Sequence, residues 1–344
     1  MPPIFTPDLT KSLPLPAQDS WPESAHLFDE ASLWAVRAAI AAGRPLLLRG
    51  EPGIGKSQLA RAVAVELRVP FLYQVVDERS ERDSLLYTYD AVARLAEAQV
   101  SGLSAKFDPT NWRDKLAERN FIRPGVLWWA FNWKKAAVQV HEHFSKHCRK
   151  CDEPSKPADW SPTAADRLCG PVVLVDEIDK ADPSVPNGML ECLGNQGFQT
   201  EQLGEAVSLE KDENGKVIGK APLVIITTNE ERELPAAFLR RCLVHQMRFP
   251  DGQEAVEQFL VGQRARVFWT AEQVSDKVCR DVIGQLLGER DSARREGLAI
   301  PGAAEFLDIL RVLVELHAGQ EEKQLEALRK ISGFALKKNL EEAA

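Results

Sequence analysis

Two short runs in this chain are apolar at nearly every position: Pro171 to Val175 in PVVLVD and Pro222 to Ile226 in PLVIITT. A strand with one wet face alternates, so uniform runs of this length predict strands buried on both faces, as in a parallel sheet. Earlier, RPLLLRG (strand), KSQLARAVAVELR (helix) and VPFLYQVV (strand) follow one another as a βαβ unit. Ahead of that unit, Phe28 to Arg44 carries Leu33, Val36, Ala39 and Ile40 at helical spacing, with Gly43 as a stop. A fifth strand is predicted around HQMRFP, Val244 to Pro250.

The same pattern divides the chain. Residues 1–28, rich in proline and polar side chains, read as an extended N-terminal arm, and 29–250 as an α/β base domain. Between Val76 and Pro171 lies an insertion, 77–170, far longer than an ordinary crossover, with helical patterns and most of the tryptophans. Within 203–221, alternating residues flank Asn214-Gly215, the dipeptide preferred in two-residue hairpin turns. From 251 to 344 the pattern is helical throughout. The predicted class is α/β: a parallel five-stranded sheet flanked by helices, with a C-terminal α-helical lid.

Composition narrows the function classes. A chain of 344 residues, 44% hydrophobic and 27% charged, is an ordinary globular protein with room for two domains. A net charge of −8 argues against a general nucleic-acid coat. No apolar run approaches the roughly 20 residues that cross a bilayer. The first 20 residues lack the basic and apolar regions of a signal peptide. Six scattered cysteines do not make a disulfide scaffold. A cytoplasmic protein is expected.

The chemistry begins at GEPGIGKS, between the first predicted strand and its helix. Gly50, Gly53 and Gly55 let backbone N–H groups wrap phosphate oxygens. Lys56 reaches the β/γ-phosphates, and Ser57 offers its hydroxyl to Mg2+. The nucleotide-binding stretch is Gly50, Glu51, Pro52, Gly53, Ile54, Gly55, Lys56, Ser57 and Gln58. VVLVDEIDKAD supplies an acidic strand end: Asp176 to hold the Mg2+, and Glu177 to accept a proton from an attacking water. After the next strand, Asn229 in TTN is placed to orient that water against a γ-phosphate. No guanine-reading N-K-x-D motif is present, so ATP is the expected nucleotide and hydrolysis the expected reaction.

These three stretches, followed by the pair Arg240-Arg241, resemble the AAA+ ATPases. The segments Ser80 to Gln99 and Phe121 to Phe131, ahead of the acidic strand end, resemble the MoxR branch. The resemblance covers about residues 28–250 well and the helical remainder loosely. It implies that Lys56 and Ser57 belong to Walker A, Asp176 and Glu177 to Walker B, and Asn229 to sensor 1. Arg240 or Arg241 takes the arginine-finger position, in which one subunit of a ring, a hexamer by analogy, serves its neighbour's site. It further implies a helix-2 insert and a pre-sensor-1 hairpin, with the sensor strand lying between the P-loop strand and the Walker B strand. One departure stands out: at Ala299 to Leu310 the family's sensor-2 arginine is missing, Gly302 following Pro301. Arg294 or Arg295 is the nearest substitute.

Family relatives couple ATP hydrolysis to remodelling or activating a protein partner, some a von Willebrand A-domain protein. Two other functions stay open: a nucleic-acid-directed motor or loader, and a nucleotide-state switch in a bacterial defence system. The motor would use the basic residues Lys134, Lys135, Lys146, Arg149 and Lys150. His143, His147, Cys148 and Cys151 suggest zinc, but a single knuckle favours a metal-free segment. Trp128, Trp129, Phe131 and Trp133 are too crowded for one helical face, so one or two are expected to remain for a partner.

Overall fold

The computed structural model describes residues 5–81, 83–103, 112–144, 152–164 and 167–336. Its main sheet has five strands: β1 (Leu46–Arg49), β2 (Phe71–Val75), β3 (Val172–Asp176), β4 (Leu223–Thr228) and β5 (Leu243–Gln246), in the lateral order β5-β1-β4-β3-β2. Parallel pairing sets Val173 beside both Val224 and Leu72. The uniformly apolar run of β3, an interior strand, is completely buried, as its pattern requires. The fold is therefore the expected α/β class: a five-stranded parallel sheet flanked by helices, followed by C-terminal helices.

The chain forms two compact units. One comprises Met1–Phe5, Ala35–Leu47 and Val63–Val244; the other comprises Thr6–Trp34, Leu48–Ala62 and His245–Ala344.

In the first unit, the tryptophan-rich segment forms two short helices, Val126–Phe131 and Trp133–Val138. They break at Asn132, whose backbone is non-helical and whose side chain caps the second helix through the Lys135 N–H. The break corrects the sequence expectation. It turns Trp133 onto Trp129 and Trp160 (centroids 5.1 and 4.7 Å apart), while Trp128 meets Tyr87 and Phe198. Trp128, Trp129, Phe131 and Trp133 are all buried, and none is left for a partner.

The hairpin expectation also changes. The paired ladder is Gly197–Thr200 against Glu205–Ser208. Around Asn214-Gly215 a smaller turn is closed by a Lys211–Val217 bridge and by the Asp212 N–H on Lys216 O at 2.9 Å. It is a three-residue loop rather than a two-residue one. The Asp212 carboxylate accepts the N–H groups of Asn214 and Lys216, which holds a type I turn, and only Gly215 is left-handed (φ 80°).

In the second unit, the residues of the predicted arm contain a small antiparallel pair, Leu13–Leu15 with Ser24–His26. Arg61, only 2% exposed, fixes it by donating to the carbonyls of Leu15, Pro16 and Pro22. The C-terminal part holds three main helices: Asp276–Glu296, Ala303–His317 and Glu321–Ala335. The first starts where Ser275 Oγ accepts the Val278 N–H and stops at left-handed Gly297. Val278, Val282, Leu286, Phe306, Leu310 and Leu328 repeat at helical spacing and form one core. The stretch 253–268 is helical as expected, with a π-helical segment at Gln258–Ala265 between two α-helical turns. Among the described residues no helix is long and apolar enough to cross a membrane.

Candidate functional site

The second unit holds the phosphate loop. At Gly50 a side chain would collide with the Met247 carbonyl oxygen, so the close approach there needs glycine. Lys56 opens the following helix, Lys56–Leu67, and is only 6% exposed. Its ammonium donates to the carbonyls of Gly50 (2.7 Å) and Glu51 (3.0 Å), so the loop satisfies its own buried cation. Gln58 reaches back to Ala25 O at 2.6 Å.

The C-terminal part holds the same loop through Arg290 and Arg264, which carry no sequence signal, and through Arg294, which the sequence names as a nearby cation. Arg290 is 1% exposed. It donates to Glu51 Oε2 (2.6 Å) and Pro301 O (2.5 Å), and stacks over the Phe249 ring at 3.8 Å. Arg294 lies 3.5 Å from the other Glu51 oxygen, whereas Arg295 turns to its own helix at Asp291 O. Arg264 donates to Ile54 O at 2.9 Å and stacks on Phe259. Burial lowers its pKa to about 10, which leaves it charged at neutral pH. Where the family carries a sensor-2 arginine, a Cβ on Gly302 would already meet Pro52 O at 3.2 Å.

Close by is a buried histidine. Burial lowers the pKa of His26 to about 4, assisted by the charge of Arg264 and opposed by that of Asp29. Its Nε2 has no hydrogen-bond partner among the described residues.

The first unit holds the acidic tip. Thr227, buried on β4, donates its hydroxyl to Asp176 and accepts the Glu177 N–H at 3.0 Å, so one hydroxyl positions both acids. Glu177 is left-handed (φ 60°, ψ 46°), a backbone state that a non-glycine residue adopts only when its surroundings impose it. Asn229 Nδ2 lies 3.3 Å from Glu177 Oε1, and Lys180 Nζ 2.9 Å from Glu177 Oε2. Sequence reading had put Asp176, Glu177 and Asn229 in one place, and the structure brings them together. Thr227 and Lys180 stand inside the same motifs but carry no sequence signal of their own.

The same unit displays the arginine pair. A four-residue helix, Ala236–Leu239, ends at Arg240, and Arg240 and Arg241 are both exposed. Arg44 anchors the chain just after this helix by donating to the carbonyls of Arg240, Arg241 (3.1 Å) and Cys242 (3.5 Å). No sequence signal had singled out Arg44.

Of the suggested zinc ligands, His147, Cys148 and Cys151 lie outside the described residues, as do Lys146, Arg149 and Lys150 of the basic face. His143 is described, and its neighbour His141 lies 3.7 Å from Glu153. Among the described residues no cluster of three or more His, Cys, Asp or Glu side chains could hold a metal.

Comparison with known proteins gives three results. No curated protein matches this sequence. A crystal structure of a presumed ATPase from Cytophaga hutchinsonii is similar over 89% of this chain and 79% of that one, at 13% identity and a TM-score of 0.33, which is too loose to carry an argument. The model of the AAA domain (dynein-related subfamily) matches residues 45–242, from the start of the phosphate-loop strand to the residue after the arginine pair. That match takes in more than half of the chain, together with the phosphate loop, the acidic tip and the arginines, and the protein therefore belongs to the AAA domain family, as an AAA+ protein.

Proposed function

We propose that this AAA+ protein is a MoxR-type ATPase that hydrolyses ATP and uses the cycle to remodel or activate a partner protein. The observation that carries the reading is the acidic tip. Glu177 is held on a strained backbone beside Asp176 and Asn229, in a stretch where the family match also includes a complete phosphate loop.

In this reading Gly50, Glu51, Pro52, Gly53, Ile54, Gly55, Lys56, Ser57 and Gln58 bind the nucleotide, with backbone N–H groups and the Lys56 ammonium on its phosphates. The Ser57 hydroxyl and the Asp176 carboxylate are hard oxygen donors and fit Mg2+, which would neutralise charge on the phosphates when bound. Thr227 fixes the Asp176 carboxylate for that task. Glu177 takes a proton from the attacking water, and Asn229 orients that water.

Arg240 or Arg241, exposed at the end of its helix, would complete the site of a neighbouring subunit in a ring, by resemblance a hexamer. A von Willebrand A-domain protein is the partner class suggested by resemblance.

The test is phosphate release from ATP by the purified chain. Wild-type protein should turn ATP over. Glu177→Gln should bind ATP with unchanged affinity while turnover falls by about 10² or more. Wild-type hydrolysis by Glu177→Gln would remove it as the base.

A further inference from the structure

Between the tryptophan-rich insertion and the strand Glu205–Ser208 lies a cavity of about 610 Å3, wholly within the first unit. One wall is the 3-10 helix Glu118–Phe121, a second the helix Trp133–Val138, and a third the strand with the turn that follows it. Its volume falls within the range of small-molecule sites.

Each wall brings cations: Arg119 from the first, Lys134 and Lys135 from the second, Lys211 from the third. Carboxylates are fewer, and one of the two, Glu205, already lies 3.9 Å from Arg119; the other is Glu210. Lys134 and Lys211 are exposed and make no ion pair among the described residues. Lys135 spends one donor on Ala206 O at 3.1 Å and keeps two. On a chain of net charge −8, this is a local excess of the opposite sign.

The buried amides of the cavity are paired. Asn132 accepts the Lys135 N–H and donates to Ser208 O at 3.0 Å, and Gln139 donates to Arg119 O and Ile122 O at 2.6 and 2.8 Å. Two other wall atoms are not. The indole N–H of Trp128, a residue only 3% exposed, and Oε1 of Glu210 are buried with no hydrogen-bond partner among the described residues. The Trp128 ring is spent on Tyr87 and Phe198, so its N–H alone is left over. An unmet buried donor and acceptor each carry a desolvation cost that a seated ligand can remove.

We propose that this cavity binds a small phosphate ester. Its phosphate group is met by Lys134, Lys135 and Lys211, and its organic part offers an acceptor to Trp128 and a donor to Glu210. Cations arriving from separate walls suit the three outer oxygens of a phosphate better than the two of a carboxylate, and a lysine ammonium serves phosphate as a point charge. The phosphate loop belongs to the other unit, so this site is distinct from it and does not depend on ATP hydrolysis.

Calorimetric titration of the full chain with cytidine monophosphate, ribose phosphate and inorganic phosphate tests the idea. Both esters should bind saturably, and inorganic phosphate more weakly than either. Lys134→Ala/Lys211→Ala, two exposed changes, should weaken the esters about tenfold or more. Trp128→Phe, which keeps a ring and removes the N–H, should weaken them about five-fold. Lys56→Ala, in the phosphate loop, should bind them as wild type does. Melting temperatures report whether each chain is folded, and the exposed lysine pair decides the question even where a buried change unfolds the protein.

Tighter binding of cytidine monophosphate would mean that the base is read; equal binding of the two esters would mean that a sugar phosphate suffices. No saturable binding of either ester overturns the proposal. So does unchanged affinity in folded Lys134→Ala/Lys211→Ala, or inorganic phosphate binding as tightly as the esters.

Discussion

The phosphate loop and the acidic tip handle charge in opposite ways. Around the loop, Lys56, Arg61 and Arg290 are almost wholly buried, and each is met by backbone carbonyls, with Glu51 added for Arg290. At the tip, Glu177 and Lys180 are about one-third exposed, and the Glu177 carboxylate is met only by side chains, Lys180 and Asn229. A buried cation cannot lose its partners without a large desolvation cost, so the loop's geometry is fixed before any ligand arrives. A half-exposed pair exchanges its partner for water at little cost. The binding half is thus preorganised, and the half assigned to chemistry can be adjusted. Damage should accordingly appear as lost stability in one region and lost rate in the other.

The largest effect is expected from the arginines. Replacing both, as Arg240→Ala/Arg241→Ala, should, in the proposed role, cut turnover by about 10³ with little change in melting temperature, because both are exposed and would bear on transition-state charge. Mixing this chain with Lys56→Ala should restore some hydrolysis if the arginines act on a neighbouring subunit. Mixed assemblies no more active than either parent would reduce the pair to surface charge.

A smaller effect comes from His26 and depends on pH. Its folded pKa, about 4, lies below the ordinary value of 6.5, so the unfolded chain takes up a proton first as pH falls. Its stability contribution is complete above about pH 6.5 and is lost as pH falls towards 4, to a total of about 3 kcal/mol at 1.36 kcal/mol per unit. Burial lowers the pKa of His245 too, which adds to the same slope. Urea melts from pH 7 to 4.5 should show this slope, and His26→Leu should flatten it. An unchanged slope would mean that His26 is not buried in its neutral form.

The smallest is Glu51→Leu. It deprives the Arg290 guanidinium of its carboxylate but leaves Pro301 O and the Phe249 ring in place. Because Glu51 is itself about one-third exposed, the full penalty for a broken buried pair is discounted to about 2 kcal/mol. Thermal or urea unfolding measures it. A variant as stable as wild type would break the contrast between the two regions, since the loop would then be no more tightly held than the tip.

Local sequence determined much of this protein. The uniformly apolar runs at 172–175 and 222–226 dictated buried parallel strands, because a strand wetted on one face cannot be apolar at every position. The loop from Gly50 to Ser57 and the acids at 176–177 were legible because phosphate and metal chemistry require those residue types at fixed short spacing. Tertiary structure decided what depends on distant partners. No pattern announces that Arg290 will meet Glu51 across 239 positions, or that Arg44 will cap carbonyls nearly 200 residues away. The break at Asn132 that buries every tryptophan of its cluster depends on Trp160 and Phe198 arriving from elsewhere in the chain. At 213–215 the Asn-Gly signal was real, but the Asp212 carboxylate decided the turn by bonding N–H groups that a two-residue loop would have oriented differently. Spacing along the chain fixes groups that act within one turn or strand; contacts between distant segments exist only once folding has brought their partners together and offset the entropy of doing so.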